Sequence, residues 1–253
     1  MNNPRQPILG VNINLTNLDN TLNKCSQFIG EKDKAYICLA PAHSVMDCYY
    51  DEEVRLSFNN SSLTVPDGMG VVWILKLKGN QSVGRVYGPD LLLNLCEMSI
   101  QAGWKHYFYG STKRILHDLE MNLVKKFPGL RISGTHSPPF TTGKLIEDQE
   151  IIDQINGAAP DIIWVGLGSP KQDIWMAENR DRLNASILIG VGAAFDFISG
   201  NTKQAPRWIQ RSGFEWLFRL MSEPGRLWKR YVHYPLFVLL VGLEFLGVEI
   251  RPR

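Results

Sequence analysis

A doubly wound α/β domain on a mostly parallel sheet is the fold class this sequence predicts, and three observations predict it. Apolar, β-rich runs alternate with amphipathic stretches along most of the chain, the pattern of βαβ units. The turns leaving several of these runs are rich in glycine, as at Gly68 and Gly70, Gly166 and Gly168, and Gly190 and Gly192. The 253 residues are 44% hydrophobic, which supplies one large core or two small ones and excludes a disordered chain.

In chain order, the strand-like runs cover residues 8–15, 36–40, 63–65, 106–109, 130–134, 161–166 and 186–191. Helical patterns lie between most of them, at 88–102, 113–127, 144–156 and 170–183, where apolar residues recur every three or four positions. Pro89 suits a helix start and Asp90 favours its first turn. Ser169 is a candidate N-cap, with Pro170 at the first helical position. After residue 200 the composition changes, which divides the chain into a sheet domain of residues 1–200 and a helical appendage of residues 201–253. No internal repeat or low-complexity segment occurs.

Several function classes are set aside by composition. A formal net charge of +2 with 21% charged residues does not describe a protein that coats nucleic acid. Cys25, Cys38, Cys48 and Cys96 have no CxxC spacing, so reduced, structural thiols in a cytosolic protein are expected rather than disulfides or a zinc knuckle. The first ten residues lack the basic and apolar regions of a signal peptide. Histidines show no HxxxH spacing, and no catalytic metal or other cofactor is expected. A nicotinamide oxidoreductase would carry GxGxxG at the first βα turn with an acid about 20 residues on, and that is absent.

In doubly wound folds ligands bind beyond the carboxyl ends of the strands, so the turns there carry the candidates. Asp67, beside Gly68 and Gly70, is placed to act as a general base, or simply to cap a helix starting near Met69. Tyr109 and Gly110 form a second such turn. In the stretch Gly166-Leu167-Gly168-Ser169-Pro170-Lys171-Gln172 the helix start offers free amides to a phosphate, with Lys171 adding charge. An ordinary tight βα turn accounts for it equally, and it matches neither a P-loop nor GxGxxG. Arg85, just before Gly88 and Asp90, suits a phosphate or carboxylate, or is a solvated surface residue. His43 is the one histidine at a ligand edge.

From Lys203 to Arg230 there are seven basic residues (Lys203, Arg207, Arg211, Arg219, Arg226, Lys229, Arg230) and two acidic ones, Glu215 and Glu223, with Trp208, Trp216 and Trp228 interleaved. The apolar run 235–248 follows, and as a helix of about 21 Å it is short of the roughly 30 Å hydrocarbon core. A nucleic-acid patch, a membrane-surface element and a solvated helical face are the readings open to this tail, beside the plain alternative of a helix pair packed on the domain or on a sister subunit. The membrane surface accounts for more of it, with arginines near anionic head groups or a diphosphate.

Ordered blocks from about Ile8 to about Tyr231 resemble the WecG/TagA/CpsF glycosyltransferases, glycosyltransferase family 26. They are the stretch from Asp67 to Trp73, the stretch from Arg85 to Leu91, Ser137-Pro138-Pro139-Phe140, Val165 to Asp173, Gly190 to Asp196, Lys203-Gln204-Ala205-Pro206, Glu215 to Leu220, and Glu223-Pro224. The resemblance implies a Rossmann-like fold and an inverting, metal-independent bacterial enzyme of cell-surface polysaccharide or teichoic acid synthesis. The donor would be a UDP-sugar, carrying an N-acetylmannosamine-like sugar, a hexose or a uronic acid. The acceptor would be a polyprenyl-diphosphate-linked sugar.

The same resemblance implies a peripheral position on the inner face of the cell membrane, reached through the C-terminal appendage, and a homo-oligomer in solution is compatible with the apolar tail. Carried over by position, Asp67 matches the proposed base, Arg85 an arginine near the donor, Gln172 the glutamine of a PKQE block at the pocket, and Arg219 and Arg226 tail arginines that approach the diphosphate. Arg207 joins them as a basic residue of the same tail. Three departures stand out: Asp173 in place of Glu, Gln204 where many members have Arg, and a 39–43 segment without the Thr and Asn found in some members. The competing reading is a non-catalytic nucleotide-sugar-binding scaffold or sensor on the membrane, which turnover separates from an enzyme.

Overall fold

The computed structural model describes residues 4–139, 147–250 and 252. Its centre is a six-stranded sheet of β3 (Ala35–Ala40), β4 (Leu63–Pro66), β5 (Lys105–Gly110), β6 (Arg131–His136), β7 (Ile162–Gly166) and β8 (Ile187–Gly190). Their order is β4-β3-β8-β7-β5-β6, and every pairing is parallel. Parallel strands buried on both faces read as continuous apolar runs, and side chains from adjacent positions enter two cores. Tyr36, Cys38 and Ala40 of β3 join one cluster, and Ile37 and Leu39 join the other.

Helices α1 (Leu18–Glu31), α5 (Gly88–Ala102), α6 (Lys113–Lys126) and α9 (Ala194–Ile198) cover one face, contributing Leu22, Leu92, Leu119 and Phe195 to its core. On the other face lie α2 (Ala42–Tyr50), α3 (Glu52–Asn59), α4 (Met69–Leu77), α7 (Gln149–Gly157) and α8 (Lys171–Asn179), with Met46, Phe58, Leu75, Ile152 and Trp175 in its core. The doubly wound parallel sheet is therefore as the sequence predicts. All four cysteines are free and buried, and burial pushes their thiols up.

Two of the expected elements differ from the sequence reading. The run 8–15 is not one strand but the second half of a hairpin, β1 (Arg5–Ile8) against β2 (Val11–Asn14). Leu9 and Gly10 turn it with φ of 47° and 83°, the two positive values that a type I′ hairpin turn requires. The pattern expected at 170–183 stops as a helix at Asn179, and the next residue, Arg180, buries its guanidinium on the carbonyls of Ala35 and Leu183, at 2.9 and 2.8 Å, and of Ala185. Helix α7 is described from Gln149; the expected start at Lys144, like Phe140, falls outside the described residues.

The C-terminal helices are α10 (Arg207–Arg211), α11 (Glu215–Ser222), α12 (Pro224–Tyr231) and α13 (Tyr234–Phe245). α13 lays Phe237 and Val241 into the core cluster that also holds α2. Rings tie the group together: Trp216, Tyr231 and Tyr234 lie 5.0 to 5.9 Å apart, and Tyr231 meets His43 of α2 edge-on at 6.4 Å. Such aromatic pairs add about 0.5–1.5 kcal/mol each beyond the area they bury. Among the described residues no helix is long and apolar enough to cross a membrane.

Candidate active site at the carboxyl edge of the sheet

Strand β4 ends at Pro66 and delivers Asp67 to the carboxyl edge, where its N–H donates to the Ala40 carbonyl at the end of β3 (3.3 Å). The next residue, Gly68, has φ 90° and caps α4 without a side-chain bond, so the chain turns sharply in a conformation that a side chain would strain. The Asp67 carboxylate does not cap the helix. Its Oδ1 accepts from Nε of Arg85 at 3.1 Å. Arg85 is itself fixed by its neighbour Val86, whose N–H donates to the Pro66 carbonyl (2.8 Å).

The same guanidinium reaches into the C-terminal helices. Nη2 lies 2.7 Å from Oε2 of Glu215, Nη1 donates to the Gln210 carbonyl at 3.4 Å, and the plane packs over the Tyr87 ring at 4.1 Å. The Tyr87 hydroxyl donates to Oε1 of Glu215 (3.1 Å) and accepts from Nε2 of Gln204 (3.0 Å). Arg85 thus bridges two carboxylates, one from a strand end and one from α11. Burial raises the Asp67 carboxyl, Arg85 pulls it back and Glu215 pushes it up again, leaving it above its ordinary value. Burial alone would lower the Arg85 pKa, but Asp67 and Glu215 outweigh it and hold the guanidinium charged.

A second wall is built where the N-termini of α2 and α8 meet. The Ser44 hydroxyl donates to that of Ser169 (3.0 Å), and Arg230 Nη2 donates to the Ser169 carbonyl (3.4 Å). His43 is buried, and its Nδ1 has no hydrogen-bond partner. Burial, reinforced by Arg230 and Arg219, holds its pKa well below the ordinary value, so the ring is neutral. Arg219 packs over Phe197 at 5.3 Å, and its charge acts on both Asp67 and His43. Arg85 and Arg219 therefore act on the Asp67 carboxylate while Arg219 and Arg230 act on His43, an arrangement suited to an anion beside a base.

The glycine turns are structural parts of this edge. Gly110 has φ 115°, and a Cβ there would stand 2.7 Å from the Gly166 backbone, so the ends of β5 and β7 approach more closely than side chains allow. Gly168 takes φ 81° in the next loop. Pro170 is the cap residue of α8 and offers no side-chain bond; Ser169, expected as the cap, turns to Ser44 instead. Lys171 opens α8. Gln172 is buried behind the loops, where its Oε1 accepts from the N–H groups of Gly168 (3.2 Å) and Gly192 (3.0 Å) and ties the two turns together.

Other candidates lie elsewhere. Gly88 opens α5 against Val191. Asp90 in the first turn of α5 is held by Arg207 through two bonds of 2.8 Å, so this arginine fastens α10 to α5. Tyr109 is fully buried, stacked on Trp175 at 4.1 Å and on His136 at 5.5 Å, with its hydroxyl on Glu147; it faces the core. Arg226 lies on α12, with its side chain outside the described residues. Sequence reasoning did not single out Glu215, Arg230 or Ser44. Glu215 left two usable signals, its place at the head of the 215–220 block and its being one of two acids in a basic stretch.

Asp173 is buried beside Ser169 and Cys38, with no hydrogen bond of ordinary geometry to either carboxylate oxygen. Burial pushes its carboxyl up to about 7. Because the native state then holds this proton more tightly than the unfolded chain, stability falls as pH rises from about 4 through 7. Asp173→Asn is expected to match the parent near pH 4 and to exceed it at pH 8 by upward of about 1.4 kcal/mol. Urea unfolding at the two pH values measures this, and a gap independent of pH contradicts it. Among the described residues no group of three or more His, Cys, Asp or Glu is placed to hold a metal ion.

Comparison with known proteins adds to this geometry. The sequence profile of the Glycosyl transferase WecG/TagA/CpsF family matches residues 6–249. An N-acetylglucosaminyldiphosphoundecaprenol N-acetyl-beta-D-mannosaminyltransferase of Bacillus spizizenii strain W23 is 28% identical over 214 residues, 85% of this chain and 81% of that protein. A protein of the same name from Bacillus subtilis strain 168 is 30% identical over 234 residues, 92% of this chain and 88% of that one.

Proposed function

The chain belongs to the WecG/TagA/CpsF family and is a glycosyltransferase, and from that premise we propose that it moves a sugar from a UDP-sugar onto a polyprenyl-diphosphate-linked sugar with inversion and without a metal. The names of its relatives support this substrate class. The work would take place at the inner face of the bacterial membrane, in the synthesis of a cell-surface polysaccharide or teichoic acid. The observation that carries the proposal is the Asp67–Arg85–Glu215 bridge, which holds a carboxylate of raised pKa at the sheet edge and brings the basic C-terminal helices over it.

In the proposed reaction the acceptor hydroxyl gives its proton to Asp67 as its oxygen attacks the anomeric carbon, and the bond to UDP breaks. Arg85 engages Oδ1, so Oδ2 is the oxygen that takes the proton. A carboxylate whose pKa is raised accepts a proton more readily. Negative charge grows on the departing diphosphate and is met by Arg219, Arg230 and the first amides of α2 and α8. His43, neutral between those arginines, supplies a hydrogen-bonding group without further charge. Basic and aromatic residues of α10–α12 would meet the bilayer surface that carries the acceptor.

UDP release tests this directly, with a panel of UDP-sugars, detergent-dispersed polyprenyl-diphosphate sugar, and EDTA throughout. Acceptor-dependent release from one donor, unaffected by EDTA, is expected. Deleting residues 203–253 removes Glu215, Arg219 and Arg230 and is expected to reduce transfer to the lipid-linked acceptor to background. Full activity in the shortened chain would refute a site completed by the C-terminal helices. Release that requires the acceptor but is lost with EDTA would refute metal independence.

A further inference from the structure

Helix α4 starts two residues after Asp67, yet its outer face is left bare: Trp73 is 46% exposed and Leu77, one turn on, 76% exposed. This face adjoins the C-terminal helices on two sides. The Trp73 ring lies against Gly213, between α10 and α11, so closely that a Cβ there would fall 2.4 Å from it. Lys78, which caps α4, pairs with Glu244 at 3.3 Å and sits over the Phe245 ring at 5.6 Å, at the end of α13. Phe214 on one side and Leu246 on the other continue the exposed apolar surface.

Charge identifies what this surface fits. α4 carries Lys76 and no acid. Of the two acids between residues 203 and 230, Glu215 is buried on Arg85 and Glu223 has a buried carboxylate oxygen, whereas Arg211 and Lys229 are exposed. Exposed rings and leucines beside cations, with Glu215 and Glu223 turned inward and Glu244 paired with Lys78, leaving Glu249 the exposed acid at the far end, suit an anionic bilayer interface. Reach agrees: α4 runs only about 14 Å from its first residue to its last, and a lipid-tethered acceptor has to bring its sugar to Asp67 at the start of that helix.

Resting on the reading of a lipid-linked acceptor, we propose that the outer face of α4, through Trp73 and Leu77, enters the bilayer interface together with the C-terminal helices. The sheet domain then makes its own membrane contact and sets the height of Asp67 above the lipid.

The test uses the full chain with an environment-sensitive dye on a single introduced cysteine, since all four native thiols are buried. Leu77→Cys reports on α4, Met221→Cys on α11, and Met121→Cys on the remote α6. Vesicles contain equal parts phosphatidylglycerol and phosphatidylethanolamine, with nitroxide-labelled lipid as quencher. Blue-shifted, quenched emission at 77 and 221 but not at 121 is expected, and Leu77→Asp should weaken vesicle binding about tenfold without changing turnover of a short-chain, water-soluble acceptor. Quenching at 221 without 77 overturns the inference and leaves the membrane reading standing. Quenching at neither overturns both. A blue shift at 77 that depends on protein concentration, without vesicles, assigns the face to a second copy and overturns the inference.

Discussion

Asp67→Asn is expected to lower kcat by about 10²- to 10⁴-fold, the usual contribution of a positioned general base, while the UDP-sugar binds with nearly unchanged affinity. Asparagine keeps an oxygen that can accept from Arg85 Nε, the bond Oδ1 makes at 3.1 Å, so the loop and the C-terminal helices should stay in place. What it cannot do is take a proton. The parent's acid limb in kcat/KM should lie above the ordinary carboxylate range, because burial and Glu215 outweigh Arg85 in setting the Asp67 pKa. Turnover by single-cycle UDP release and donor affinity by calorimetry separate the two effects. A loss of donor binding equal to the loss of rate, or a rate within tenfold of the parent, would remove Asp67 from the role of base.

Arg85→Met is expected to be the most destabilising single change at this edge, costing on the order of 3–5 kcal/mol. Its guanidinium contacts Asp67, Glu215, the Gln210 carbonyl and the Tyr87 ring, and methionine leaves two inward carboxylates facing one another. One of them then holds a proton in the folded state that it would release in the unfolded chain. The sign follows: the native state binds more protons, so stability falls with rising pH, and the deficit should be larger at pH 8 than at pH 5. Urea unfolding at both values measures it, and an equal deficit would mean that packing on Tyr87, not charge, dominates. Arg85→Met/Glu215→Leu removes one stranded carboxylate and should recover part of the loss without recovering activity.

The sheet was legible because its physics is local. A parallel strand covered on both faces is apolar along nearly its whole length, and residues 36–40 and 162–165 announce this without reference to anything distant. The helices at 88–102 and 113–127 declare themselves by periodicity in the same way. The hairpin at the start was hidden, because Leu9 occupies one of its two positive-φ positions and leucine gives no sign of that conformation.

The candidate site divides along the same line. Asp67 and Arg85 could be picked out singly, from a strand end and from a position before a helix start, and the ordered motifs strengthened both. Their pairing could not be read, nor could the capture of Glu215 by the same guanidinium, the removal of Tyr109 into the core, or the use of Arg207 to hold Asp90. Sequence periodicity records which faces a segment must bury. Which charges then meet depends on how α10 and α11 pack over the carboxyl ends of β3 and β4, and that is decided by contacts between segments far apart in the chain.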